Sequence, residues 1–181
     1  MRSEQPETRS YRVTGAALPL SGEDLAVLMS AVLERGHSFR FRAPGSSMLP
    51  FVCDGDVLTI APLGGRPPVL GDLVAFRHPA KHTPTVHRVV ARRAGAYRVQ
   101  GDAVPVPDGW IAAESVLGRV AAIERAGRRL RWGLGPERAG IALVSRWGLW
   151  RHALPVLARL RRLRGAERPA DGPGSATGED R

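Results

Sequence analysis

The chain has 181 residues, enough for one well-cored domain and too few for two of ordinary size. Hydrophobic residues make up 43% and charged residues 24%, the balance of a folded globular chain; 21 glycines and 15 prolines cut it into short segments that suit strands and turns better than a helical bundle. The net charge is +10, and the single cysteine, Cys53, excludes an internal disulfide and leaves no thiolate pair for a zinc site.

Residues 1–20 read as a polar, flexible leader with no apolar run of signal-peptide length. Ser21 then caps a helix: Glu23 and Asp24 occupy its first turn, and Leu25, Val27, Leu28, Ala31, Val32 and Leu33 form its apolar stripe before Gly36 stops it. Phe39, Phe41 and Ala43 alternate with Arg40 and Arg42, the period of a half-buried strand. A loop through Ser46, Ser47, Met48 and Pro50 follows, and further strands are predicted at 57–60, 73–76, 85–90 and 97–100. Residues 115–124 and 128–132 read as a hairpin turning at Ala126-Gly127. These six to eight strands lie too close together for helical crossovers, so the expected fold is mainly β, with antiparallel strands in a curled sheet or open barrel.

The basic excess lies at the C-terminal end, where residues 125–168 carry twelve arginines against Glu137 and Glu167. Residues 139–163 read as a basic amphipathic helix, within a basic helical segment spanning 136–164, and residues 165–181 as a disordered tail. The most apolar stretch, 141–160, is broken by Arg146, Arg151, His152 and Arg159, and each arginine at a bilayer centre costs roughly 2.5–3.5 kcal/mol, so spanning is disfavoured. The expected location is therefore cytoplasmic or peripheral at a membrane, with residues 139–164 as the contact, through Ile141, Leu143, Val144, Trp147, Leu149 and Trp150. The competing reading of this helix is that it packs on the sheet.

A serine hydroxyl becomes a useful nucleophile only with a base in hydrogen-bond reach and donors aimed at the developing oxyanion. Ser47 sits on a Gly- and Pro-bounded loop directly after a strand. His87 lies within a β-branched strand that can aim an imidazole rigidly, and imidazole titrates near neutrality. Asp102 and Asp108 both follow the strand expected to pair with that of His87, and either carboxylate can orient the ring. Each of these residues has an ordinary explanation as a turn or packing residue when taken singly.

Their succession is more specific. Gly-Ser-Ser-Met-Leu-Pro (45–50), Asp-Gly-Asp (54–56), Gly-Asp-Leu-Val-Ala-Phe (71–76), Val-His-Arg-Val-Val (86–90), Gly-Asp (101–102), Asp108 and Val-Leu-Gly-Arg-Val (116–120) follow one another over residues 38–124. This order resembles the signal peptidase I family, in the branch found in archaea and the endoplasmic reticulum. The resemblance implies a peptidase domain over residues 21–135, built of coiled antiparallel sheets. Ser47 matches the nucleophile, and His87 stands where that branch has its histidine. Asp102 and Asp108 match the two acidic positions, with Asp108 favoured as orienter. Ser46, Met48 and Pro50 line the oxyanion and substrate side. The implied substrate is an extended leader-type peptide with small residues before the cut, and no cofactor is implied. Gly45 replaces a serine that assists oxyanion binding in many members, Val104 and Pro105 replace polar residues, and an N-terminal membrane anchor is missing from the pattern.

Other readings compete. Lys81 as the base of a Ser–Lys pair requires a desolvated lysine, which a polar loop does not supply. A His78, His82, His87 metal site crosses two prolines and lacks an acidic ligand, so no metal is expected. Self-cleaving repressors carry a DNA-binding domain for which fewer than 50 residues are available, and nucleic acid is not an expected partner. The alternative from another class is a non-catalytic peptidase fold that docks through its basic C-terminal helix.

Overall fold

The computed structural model describes residues 11–13, 16–18 and 20–147. The expected tail, and the expected basic helix beyond residue 147, lie outside the described residues. Two short strands, β1 (Tyr11–Val13) and β2 (Ala16–Leu18), pair antiparallel within the stretch expected to be a flexible leader.

Helix α1 (Gly22–Glu34) begins where a side chain replaces the missing helical acceptor: Ser21 Oγ accepts from the Asp24 N–H at 3.1 Å. Leu25, Ala26, Met29 and Leu33 are its buried face. The chain then runs through β3 (Phe39–Arg42), β4 (Val57–Ala61), β5 (Leu73–Arg77), β6 (Pro84–Arg93), β7 (Ala96–Gln100), β8 (Gly109–Ala112), β9 (Val116–Arg125) and β10 (Arg128–Leu130) to helix α2 (Arg138–Arg146). Strand β8 was not foreseen, because Pro107, Asp108 and Gly109 disguise its start as part of a turn. In the β9–β10 turn, Ala126 and Gly127 both have positive φ, +48° and +75°, the backbone that matches strand twist in a two-residue hairpin.

Strands β3 to β10 form one antiparallel sheet of eight strands in the order β3-β4-β9-β5-β6-β7-β8, with β10 on β9. It is mainly β and does not close on itself. Long β9 organises it: β4 runs along one edge through Glu124 to Arg119, while β5 and β10 share the other edge at residues 116–119 and 123–125. Strand β5 is buried on both faces. Leu73 and Ala75 join the core that also takes Leu25, Met29 and Leu33 of α1, whereas Val74 and Phe76 join a second core with Val89, Val99 and Ile111. Period-2 geometry sends alternate residues to opposite faces, which is why an uninterrupted apolar run can serve two cores.

One ion pair ties the end of β9 to the loop that leads into β4. Arg125 Nε and Nη2 donate to Asp56 Oδ1 and Oδ2 at 2.9 and 2.8 Å, and the Cys53 N–H donates to Oδ2 at 2.8 Å. Burial by itself pushes the Asp56 carboxyl up; the Arg125 guanidinium and the Cys53 N–H outweigh it and hold the group below its ordinary value. A carboxyl depressed in the folded state contributes stability at pH above its unfolded value, and loses it as pH falls through the folded one. Asp56→Asn is therefore expected to cost about 1–3 kcal/mol at neutral pH and much less at acid pH, read from denaturant unfolding at both.

Candidate active site

The loop from Ala43 to Asp56 is held along its length. Its ends are clasped by Ala43 N–H to Asp56 O (2.8 Å) and Gly55 N–H to Ala43 O (2.9 Å). The Phe51 and Val52 N–H groups both donate to Met48 O, and Gly45 N–H donates to Asp54 Oδ1. Met48, Phe51 and Val52 are buried. This anchored loop presents Ser47 at its partly exposed surface.

His87 is 6% exposed, on β6 opposite Val74 of β5. Cross-strand partners share a face, so His87 stands beside Phe76, whose ring centroid lies 6.0 Å from the imidazole. His87 Nε2 is 3.2 Å from Ser47 Oγ, and Nδ1 hydrogen-bonds Asp108 Oδ2. In the tautomer that donates from Nδ1 to the Asp108 carboxylate, the Nε2 lone pair is left for the serine hydroxyl. Asp108 follows the turn after β7, and its N–H donates to Val99 O at 3.1 Å. The structure thus brings Ser47, His87 and Asp108 into one hydrogen-bonded line.

Asp102 is engaged elsewhere. Arg88 Nε and Nη2 grip its two oxygens at 2.8 and 2.7 Å, and Ser145 Oγ of α2 donates to Oδ1 at 2.6 Å. As an orienter of His87 it is corrected to a structural partner of Arg88. The reason is strand geometry: Arg88 is the neighbour of His87 and projects to the other face. Both members of this ion pair have side chains with 0% exposure.

Gly101 links the two faces. A Cβ built there would lie 2.6 Å from Ser47 O, 2.9 Å from Val104 Cγ2 and 3.1 Å from His87 Nε2. Only glycine lets the strand end pass this close to the Ser47 carbonyl and the His87 imidazole. Two residues on, the Ala103 N–H donates to the same Ser47 O at 2.9 Å.

Among the described residues, the Ser47 N–H donates to nothing, and Ser46 is exposed with its hydroxyl unbonded. Both are free to face an oxyanion. Gly45, where the resemblance implies a serine, has φ +94°, a backbone region in which a serine would be strained. Met48 and Ser46 line the cleft beside Ser47; Pro50 is not among its lining residues. The cleft encloses about 810 Å³ and is lined by Phe41, Met48, Val52 and Leu58 together with Thr85 and Val86 of β6. Strand β6 pairs with β5 from Pro84 onward, but its ladder to β7 begins only at Arg88. Its cleft-lining start is therefore paired on one side only.

Lys81 lies exposed at the rim of this cleft, and no hydrogen bond joins it to Ser47. His78 accepts the Ala80 and Lys81 N–H groups on Nδ1 at 3.2 and 3.3 Å, holding the turn before β6. Burial pushes the His78 imidazole below its ordinary value; Asp108 opposes this, while Lys81 and His87 add to it. Among the described residues no three potential metal ligands converge. Gln100 and Ser145, which complete the buried network behind Asp102, were not foreseen; a lone polar residue within an apolar pattern carries no signal of burial. No known family model matches this chain, and no curated protein matches it.

Gly101→Ala is expected to separate Ser47 from His87 while leaving the sheet intact. The labelling rate of Ser47 by a fluorophosphonate should fall by on the order of 100-fold with an unchanged far-ultraviolet circular dichroism spectrum.

Proposed function

We propose that the protein is a serine endopeptidase of the signal-peptidase type that cleaves an extended leader-type peptide. The observation that carries this is the Ser47–His87–Asp108 line at the mouth of a cleft whose β6 wall is paired on one side only. The mainly β architecture and the order of sequence boxes over residues 38–124 support the same reading.

In the proposed reaction Ser47 Oγ attacks the scissile carbonyl carbon as its proton passes to His87 Nε2. The oxyanion is met by the Ser47 N–H, with the Ser46 hydroxyl in reach of the same side. Collapse breaks the C–N bond, and the imidazolium returns the proton to the leaving amine. Water, deprotonated by the same nitrogen, then frees the acyl group. Asp108 keeps the ring in the competent tautomer and stabilises its cationic form. A substrate strand adds to the one-sided part of β6 by main-chain hydrogen bonds, and the apolar wall takes its small side chains.

The partner reading is a peripheral contact with anionic membrane through α2. Ile141, Ala142 and Ser145 of α2 are buried, while Leu143 and Trp147 are 43% and 71% exposed beside Arg146. The inner face is thus packed and the outer face is apolar and cationic, which suits an interfacial helix. Among the described residues no helix is long and apolar enough to cross a membrane.

Cleavage of a peptide with small residues before the scissile bond is expected in the wild type and absent in Ser47→Ala. Asp108→Asn should lower kcat by about 10⁴-fold, whereas Asp102→Asn, which breaks the buried Arg88 pair, should lower stability together with a smaller loss in kcat. Equal cleavage by wild type and Ser47→Ala removes the peptidase reading. In flotation with phosphatidylglycerol vesicles the wild type should rise with the lipid, and Leu143→Asp/Trp147→Asp should stay behind. Flotation unaffected by that double change removes α2 as the contact.

A further inference from the structure

We infer that Ser145, in the last turn of α2, is a positioning residue for the Ser47–His87–Asp108 line, acting through the stretch from Gln100 to Val104. This rests on the peptidase reading above and deepens it. Ser145 is 0% exposed, and its two polar groups both face this stretch. Its hydroxyl donates to Asp102 Oδ1 at 2.6 Å, and its carbonyl accepts from Gln100 Nε2 at 2.9 Å. The same Gln100 nitrogen donates to Val104 O at 2.8 Å. One helical residue therefore grips the stretch at residue 102 directly, and at 100 and 104 through one amide.

What that stretch carries is the geometry of the site. Ala103 N–H fixes Ser47 O, and Gly101 passes beneath Ser47 O and His87 Nε2 with room for a hydrogen only. The chain then turns back to deliver Asp108, whose N–H is held by Val99 O. A displacement of residues 101–104 by a fraction of an ångström moves the nucleophile against its base. Arg88 does not replace the Ser145 contribution. It holds Asp102 from β6 through Nε and Nη2, with Nη1 given to Gly71 O and Gly133 O, whereas Ser145 approaches from α2. Two holds from different elements leave the carboxylate one position.

Removing the Ser145 hydroxyl leaves the Arg88–Asp102 pair, so Ser145→Ala loosens the stretch without exposing an unpaired charge. The expected result at a temperature well below unfolding is a kcat lowered on the order of tenfold with KM nearly unchanged, and fluorophosphonate labelling slowed by the same factor. The downfield proton resonance of the His87–Asp108 hydrogen bond should broaden or vanish. Gln100→Met, which removes the amide grip, should do the same and serves if Ser145→Ala does not fold. A lowered Tm with kcat, labelling rate and resonance all unchanged makes Ser145 merely structural and overturns the inference. If the wild type cleaves no peptide, the peptidase reading fails by itself. The resonance still decides the positioning claim, which falls if the signal is absent from the wild type or identical in both variants.

Discussion

A guanidinium with no access to water organises this protein. Arg88 is fully buried, and such a charge is tolerated only when it is paired and hydrogen-bonded. Its four hydrogen bonds go to both oxygens of Asp102 and to the carbonyls of Gly71 and Gly133, with the Phe51 ring 5.2 Å from the guanidinium carbon. Those partners come from the turn before β5, the turn after β7, the segment before α2 and the nucleophile loop. A single cation thereby ties together four separate stretches, one of which carries Ser47.

The strand that carries Arg88 also carries His87. Adjacent residues in a strand point to opposite faces, so the rigid, desolvated side and the reactive, cleft-facing side are one peptide unit apart. This explains how the imidazole can be aimed from the strand itself. Its backbone is anchored by the buried neighbour one residue on. Asp108 then needs to supply only the tautomer, and Phe76 only a wall.

Much of this was legible in the residues. Ser21 with Glu23 and Asp24 announced α1, the Phe39/Phe41 alternation announced β3, and Ala126-Gly127 announced the β9–β10 hairpin, because each rests on short-range chemistry. The pairing of Ser47 with His87 was legible only through the order of boxes, since forty residues separate the two and no local rule connects them. On local residues alone Asp102 and Asp108 could not be told apart, since both follow β7 in polar turns; only the resemblance favoured Asp108 as orienter. What separates them is which face of β6 each one meets, a property of register that no window of sequence contains. Gln100 and Ser145 were invisible for a related reason, because their partners are each other, the Val104 carbonyl and Asp102, assembled only when α2 docks.

The one-sided start of β6 has a consequence for how the molecule coexists with copies of itself. An open strand edge next to an apolar wall is the feature that draws chains into edge-to-edge association. Here the edge is short, begins at Pro84, which has no N–H to offer, and lies under a rim bearing the positive charge of Lys81. Short length, a proline at its start and a nearby lysine are the devices that keep such an edge from pairing with its own kind. Association of copies is thus opposed by proline placement and charge, before any side chain is read.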